Sequence, residues 1–428
     1  MDTSARAAPQ PLTRRRVLAA IGVAAAGVTS LAACTDDKAP GGKGPGGSSG
    51  RSTSKLVVTT PAADATDVSA GTEIVFAATG VDSAQVTLTD AAGQNVPGAM
   101  HPDGGGWLPN KALLYGQRYT ATVTGTADDG RAVTATSRFT TMNKPDKLVS
   151  FVSFLPDDAV VGVGMPLILR LSRALDKEQR AIAQRRLLVH TVPVQEGTWT
   201  WYSDTELHWR PRDFWKPGTK ISVEIRVGGL PLGDGWYGKQ DSTLRCGIGP
   251  SLIMTIDDAA SPKVMKVAKD GAVIKTIPVS LGRPSMPSSS GTTVVIEKLT
   301  KTVFDTMDDP NPANRYRTEI EYAQRLTWGG EFIHAAPWSV QDQGKRNVSH
   351  GCVNMSTKDA RWLFQNTLMG SPLTIKGTER KLRSGNGWTD WDKPWDEYVK
   401  GSAIPYPPAA SATVGGAKPS PSASPSGA

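Results

Sequence analysis

Ser349-His350-Gly351-Cys352-Val353-Asn354, read together with His334 fifteen residues before it, is the stretch on which the reading of this chain turns. Between them they hold one of three cysteines and two of five histidines in 428 residues. A thiol with a free pKa of about 8.5 is only a few per cent thiolate at neutral pH. An imidazole with a pKa near 6.5 can take that proton and later return it to a leaving amine. The pair points to acyl transfer through a thioester. A zinc site built from His334, His350 and Cys352 is the rival, but it lacks a fourth ligand at usual spacing and His350 with Cys352 is not a common ligand pair. No metal and no cofactor are expected.

The flanks read as a β-rich domain over 251–378. Leu326-Thr327-Trp328, a Gly329-Gly330 turn and Glu331-Phe332-Ile333-His334 make a hairpin that places His334 at a strand end. Beyond Cys352, Ser356-Thr357-Lys358-Asp359 resembles a capping box. Ala360, Leu363, Phe364 and Leu368 then fall on one helical face, and Leu373-Thr374-Ile375-Lys376 closes the sheet. Upstream, Leu252 to Ile256, Val264 to Val267 and Val273 to Leu281 form a meander with Asp270-Gly271 as its hairpin turn, continued by Thr293 to Ile296 and Thr302 to Phe304.

Two further strand-rich units precede it, as the length suggests at about 150 residues per domain. Residues 146–250 contain Ile221 to Val227, which alternates at period two, and a helical stretch from Asp176 to Val189 capped by Asp176. Trp199, Trp201, Trp209, Trp215 and Trp236 serve this unit as core or as a stacking surface, with core favoured, and His190 and His208 read as structural. Residues 55–145 carry short β-branched runs such as Val86-Thr87-Leu88 and Tyr119 to Val123, the pattern of an Ig-like sandwich. The fold class is therefore mainly β: two Ig-like β-sandwiches, then a β-sheet-rich domain with a capped helix after Cys352. A Trp-rich extension (379–406) and a Pro/Ser tail predicted to be disordered (407–428) follow.

The first 34 residues read as an export signal: twin-arginine-like Arg14-Arg15-Arg16, an apolar run from Ala19 to Ala33, and Leu31-Ala32-Ala33-Cys34 as a lipobox. The apolar run is short for a membrane span, which needs about 20 residues. Residues 35–54 are a Gly-rich linker. The expected location is therefore the outer face of the cytoplasmic membrane, anchored through a lipid on Cys34 and facing the cell wall. With Cys34 so assigned, Cys246 and Cys352 remain; they either pair or stand as a core thiol and a nucleophile. The net charge of +8 includes four arginines against one aspartate before residue 34, so the rest of the chain is near +5. That mild excess, without Arg/Lys blocks, suits a wall polymer, and no nucleic-acid partner is expected.

His334, fourteen intervening residues and then Ser349 to Asn354 resembles the signature of bacterial L,D-transpeptidases with the YkuD-type catalytic domain. His334-Ala335-Ala336-Pro337-Trp338-Ser339-Val340, Gln343-Gly344 and Asn347-Val348 are similar to the actinobacterial branch. The resemblance implies a peptidoglycan enzyme that makes 3→3 cross-links. Cys352 would attack the carbonyl between residues three and four of a tetrapeptide stem and release D-alanine. His334 would be the base, oriented by the main-chain carbonyl of Ala335, where relatives often carry Ser. Backbone N–H groups of the His350-Gly351-Cys352 turn would form the oxyanion hole. Tyr316, Trp338, Ser349, Asn354 and Met307 would contact substrate. The implied partners are stem peptides and carbapenem β-lactams as covalent inhibitors, and the expected state is a monomer. The loop Asp308-Asp309-Pro310-Asn311-Pro312 is shorter than the lid of mycobacterial relatives. An L,D-carboxypeptidase, with water as acceptor, and a non-catalytic wall-binding lipoprotein are the alternatives. Asn347-Val348-Ser349 also matches a glycosylation sequon, read here as coincidence.

Overall fold

Alternation along the strands builds three successive β-rich layers. On Lys220–Ile225 every second residue (Ile221, Val223, Ile225) is buried. Each such aliphatic side chain contributes about 1.5–3 kcal/mol when removed from water. The computed structural model describes residues 54–101, 106–308, 310–312 and 315–406. The predicted export signal with Cys34, all but the end of the predicted linker, and the tail 407–428 lie outside the described residues. No described helix is long and apolar enough to cross a membrane.

The first unit is an uneven sandwich. A five-stranded sheet runs in the order Ala65–Val68, Ala132–Thr141, Arg118–Ala127, Val81–Asp90 and Asn95–Val96. Two ribbons, Lys55–Thr60 with Val75–Thr79 and Gly98–Met100 with Trp107–Pro109, close over it. Ile74, Leu88, Trp107, Tyr119 and Phe139 fill the space between.

The second unit has two four-stranded sheets. One orders Phe151–Ser153, Leu167–Leu171, Glu206–Pro211 and Gly197–Trp201; the other orders Ala159–Val161, Ser242–Ile248, Lys220–Ile225 and Leu187–Val192. Trp199, Trp209 and Trp215 are buried between them, so these tryptophans are core. Trp201 and Trp236 are half-buried and lie under the guanidinium groups of Arg180 and Arg173, at 5.3 and 5.1 Å. The helix capped by Asp176 is shorter than its sequence pattern predicts. It ends at Gln184, and Leu187–Val192 pairs antiparallel with Lys220–Ile225. Burial of Leu187 against the sandwich core decides this, since local propensity yields to tertiary packing.

The third unit holds a six-stranded and a four-stranded sheet. The first runs Ala272–Pro278, Val264–Lys269, Leu252–Asp257, Pro372–Lys376, Ser289–Val294 and Arg380–Lys381. The Asp270-Gly271 turn is present, with φ of 50° and 87°. Pro372–Lys376, which the sequence places as the closing strand, lies inside the sheet and pairs parallel with Leu252–Asp257. The meander also breaks earlier than expected: Glu297–Asp305 belongs to the other sheet, ordered Glu297–Asp305, Arg317–Arg325, Phe332–Ala335 and Val353–Met355. The helix Thr357–Asn366 begins at Ser356, whose Oγ accepts from Asp359 N at 3.1 Å and donates to Asp359 Oδ2 at 2.7 Å. It buries Ala360 and Leu363, and Leu368 falls beyond its end.

The Trp-rich extension folds back onto the second sandwich. Trp391 Nε1 donates to Gly164 O at 2.6 Å, and Trp388 meets Phe154 edge-on at 4.8 Å. The Arg210 guanidinium sits over Trp391 and Tyr398 at 4.4 and 4.2 Å. His208, buried, lies between Asp390 at 3.0 Å and Glu206 at 3.1 Å. Burial alone would depress its pKa, but the Asp390 charge and the hydrogen bonds to both carboxylates raise it to about 9. His208 is structural, as its strand context suggests, and it is also charged. Its ion pairs tie the extension to the sandwich, because a buried pair that loses one member costs about 3–5 kcal/mol.

Candidate active site

Register brings the two key side chains to one cavity. Phe332–Ala335 and Val353–Met355 pair in parallel, with His334 opposite Asn354. Side chains two apart on a strand share a face, so Cys352, just before its strand, opens on the same side as His334. Both line a cavity of about 460 Å³ together with Tyr316, Trp338, Ser349 and Asn354. Phe304, Thr318, Ile320 and Asp342 complete much of its wall.

His334 is 3% exposed. Its Nδ1 lies 2.8 Å from Ala335 O, and since a carbonyl only accepts, Nδ1 carries the proton and Nε2 is the free base. Phe304 meets the ring edge-on at 5.3 Å and holds its plane. Burial lowers the imidazole to about 4, against the Ala335 hydrogen bond that raises it. A carbonyl orients the ring without adding the negative charge that would favour imidazolium.

Cys352 is 7% exposed, and its Sγ lies 3.7 Å from Gly330 O. Burial pushes the thiol up to about 12; the Phe332 N–H opposes this and the Glu331 carboxylate adds to it. The resting pair is therefore neutral thiol and neutral imidazole.

The loop ahead of Cys352 is held from two directions. Ser349 Oγ donates to Cys352 O at 2.7 Å and accepts from Gly351 N at 3.1 Å. Ser349 N donates to Leu281 O at 3.0 Å, while Ser280 and Asn354 exchange backbone bonds of 3.0 and 2.9 Å. Gly351 has φ of 120°, where L side chains are strained, and a Cβ there would come within 3.3 Å of Arg380 Nη2. The amide of Asn347, inside the sequon, donates to Asp258 at 2.8 Å and its Oδ1 accepts from Leu281 N at 3.1 Å. It is a structural clamp.

Among the sequence-derived site residues, Gly351 and Ser349 act as loop-formers, and the Gly351 N–H is already committed to Ser349. The oxyanion-hole expectation thus loses one of its donors. Tyr316 lines the cavity, with its ring 5.1 Å from the half-buried His350. Trp338, 52% exposed, stands at the rim. Asn354 is 3% exposed; its Nδ2 donates to Ser339 Oγ at 3.2 Å, and its Oδ1 has no partner. Met307 is 57% exposed and is not among the residues that line the cavity. It follows the strand Glu297–Asp305, which pairs with Arg317–Arg325. Cys246 and Cys352 are both free, so the disulfide alternative does not form. Cys246 is a core thiol of the second sandwich, pushed up to about 12 by burial.

Sequence reasoning missed Phe304, Asp342, Glu331 and Arg380. Glu331 stood in the hairpin already singled out, as a charge at a strand start next to paired glycines. Arg380 carries no pattern, because its position depends on the pairing of Arg380–Lys381 with Ser289 and Ser290.

Residues 253–375 match a family described as the L,D-transpeptidase catalytic domain (YkuD), and residues 65–231 match one described as a bacterial Ig domain. The chain is 34% identical to L,D-transpeptidase 2 of Mycobacterium tuberculosis over 358 residues, covering 81% of this chain and 86% of that protein. It is 34% identical to L,D-transpeptidase 5 of the same species over 336 residues, covering 76% and 72%. A solved LD transpeptidase in complex with imipenem aligns at 29% identity over 54% of this chain and 100% of its own, with a TM-score of 0.45.

Proposed function

Because the chain belongs to the L,D-transpeptidases, we propose that Cys352 is the nucleophile and His334 the base of a peptidoglycan transpeptidase that forms 3→3 cross-links. One observation carries the residue assignment: a thiol and an imidazole with its Nδ1 pinned by Ala335 O open on the same cavity. In acylation, Sγ bonds to the carbonyl carbon between residues three and four of the donor stem as its proton passes to His334 Nε2. The C–N bond then breaks, and His334 returns the proton to the departing D-alanine amine. In the second half, the side-chain amine of an acceptor stem attacks the thioester. His334 takes the amine's proton and delivers it to the sulfur as the S–C bond breaks.

The neutral resting state suits two buried groups, because no isolated charge is buried before substrate arrives. The oxyanion donors fall to backbone N–H groups of the His350-Gly351-Cys352 turn other than that of Gly351. Each such donor is worth about 2.7–4 kcal/mol in related chemistry. Asn354, held by Ser339, shapes part of the cavity wall that receives the donor stem. A β-lactam carbonyl offers the same acyl chemistry to Cys352, which makes carbapenems covalent inhibitors in this reading.

Incubation with disaccharide-tetrapeptides, followed by mass spectrometry, tests the reaction. Dimers with loss of D-alanine are the expected product. Tripeptide alone would make water the acceptor and the protein an L,D-carboxypeptidase, and unchanged tetrapeptide would leave a non-catalytic wall-binding role. Wall location rests on the twin-arginine-like start and the lipobox. Cys34→Ala is expected to release the protein from the membrane fraction; full retention would remove the lipid anchor from this reading.

A further inference from the structure

Directly behind the nucleophile lies a charged pair that the reaction scheme above does not use. Glu331 has a side chain 10% exposed and forms an ion pair with Arg380. Ser289 Oγ donates to Glu331 Oε1 at 2.7 Å, and Ser289 N donates to Oε2 at 3.2 Å. The backbone on either side of Glu331 meets the thiol: Gly330 O lies 3.7 Å from Sγ, and the Phe332 N–H favours the thiolate. A Cβ on Gly351 would lie 3.3 Å from Arg380 Nη2 and 3.8 Å from Glu331 Cγ, so both side chains underlie the residue before Cys352. The C-terminal segment holds this arrangement. Leu382 N donates to Ser290 O at 2.7 Å, and Asn386 Oδ1 accepts from Gly329 N at 2.8 Å.

We propose that Arg380 is a positioning residue for the nucleophile, cancelling the Glu331 carboxylate beneath the Gly351 turn so that the Cys352 thiol can lose its proton. The inference rests on Cys352 as nucleophile. A negative charge beside a thiol opposes thiolate formation, and an adjacent cation offsets it. Glu331 already holds the thiol up, and without Arg380 that effect would grow. The other titratable groups facing the thiol are His334 from the same sheet and Tyr316 and His350 from the cavity wall. Burial holds His334 and Tyr316 in their neutral forms, and Asp342 is paired with Arg346. Glu331 and Arg380 are thus a charged pair at the thiol whose balance depends on their mutual contact.

The test is the rate of Cys352 alkylation by iodoacetamide from neutral pH to about pH 10, with peptide mapping to separate Cys352 from Cys246. This rate follows the thiolate fraction and needs no stem peptide, so a failure of cross-linking would leave it readable. R380Q is expected to slow alkylation about three- to tenfold, equivalent to a rise of roughly half a unit to one unit in the thiol pKa. E331Q, which keeps the shape and one of the two acceptor oxygens, is expected to speed it by a similar factor, and R380K should stay near the parent. Opposite signs separate charge from damage, since mere loss of packing would move both variants the same way. Unchanged rates, or changes of the same sign, would overturn the proposal. If R380Q does not fold, the sign of E331Q alone decides.

Discussion

Replacement of Cys352 by Ala is expected to abolish both cross-linked dimer and any carbapenem adduct while leaving the protein folded. Without the sulfur no thioester can form, and a neighbouring serine cannot substitute. Ser349 Oγ is already bonded to Cys352 O and Gly351 N and points into its own loop. Loss of a nucleophile in a related acyl-transfer site costs about 10⁶ in kcat, which here means activity below detection. The fold should lose only about 1 kcal/mol, because one buried sulfur is removed from a wall that faces a cavity. Intact-mass measurement with a carbapenem checks this, and an adduct that persists in Cys352→Ala would contradict the assignment. Peptide mapping belongs in the experiment, since Cys246 is a second thiol; its burial in the sandwich core predicts that it stays unlabelled.

The second large effect is at His334. His334→Gln keeps a side-chain amide near the Ala335 carbonyl but removes the base, and acylation should fall by about 10²–10⁴. The pH dependence is as telling as the loss. Burial lowers this imidazole to about 4, so the base stays neutral, and able to accept a proton, down to about that pH. The acidic limb of kcat/KM for the free enzyme should therefore lie near 4. A limb near 6.5 would mean that His334 is solvated in the working enzyme and that the buried geometry is not the active one.

The same shift affects stability. A histidine with a lowered folded pKa binds fewer protons folded than unfolded, so its contribution is present above about 6.5 and lost as pH falls toward 4. His208, raised to about 9, behaves in the opposite way: its contribution is present below about 6.5 and lost as pH rises toward 9. Two buried histidines in one chain thus oppose each other because one faces a carbonyl and the other two carboxylates.

Much of the site was legible because its chemistry is nearly contiguous. His334, Ala335, Trp338, Ser349, Gly351, Cys352 and Asn354 lie within one stretch, where a paired-glycine turn and a strand signal fix which residues face together. Tyr316 came from the resemblance, and it lines the same cavity. Met307 also came from the resemblance, and it is 57% exposed beyond the end of the strand Glu297–Asp305. The mainly β class was equally readable from period-two alternation, whereas the end of the helix after Asp176 was not. Leu187 and Val189 suit a helix face or a strand, and only pairing with Lys220–Ile225 chooses between them.

By itself the sequence determined everything governed by local rules: the turn at Gly329-Gly330, the cap at Ser356, the alternation of each strand and the thiol–imidazole chemistry. Tertiary structure alone decided three matters. It set Pro372–Lys376 inside its sheet, drew the Trp-rich extension onto the second sandwich through His208 and Asp390, and brought Arg380 to Glu331 behind the thiol. Each joins residues far apart in the chain, where the energy comes from burial and from charges meeting at low dielectric. Those terms exist only once the chain has closed around them.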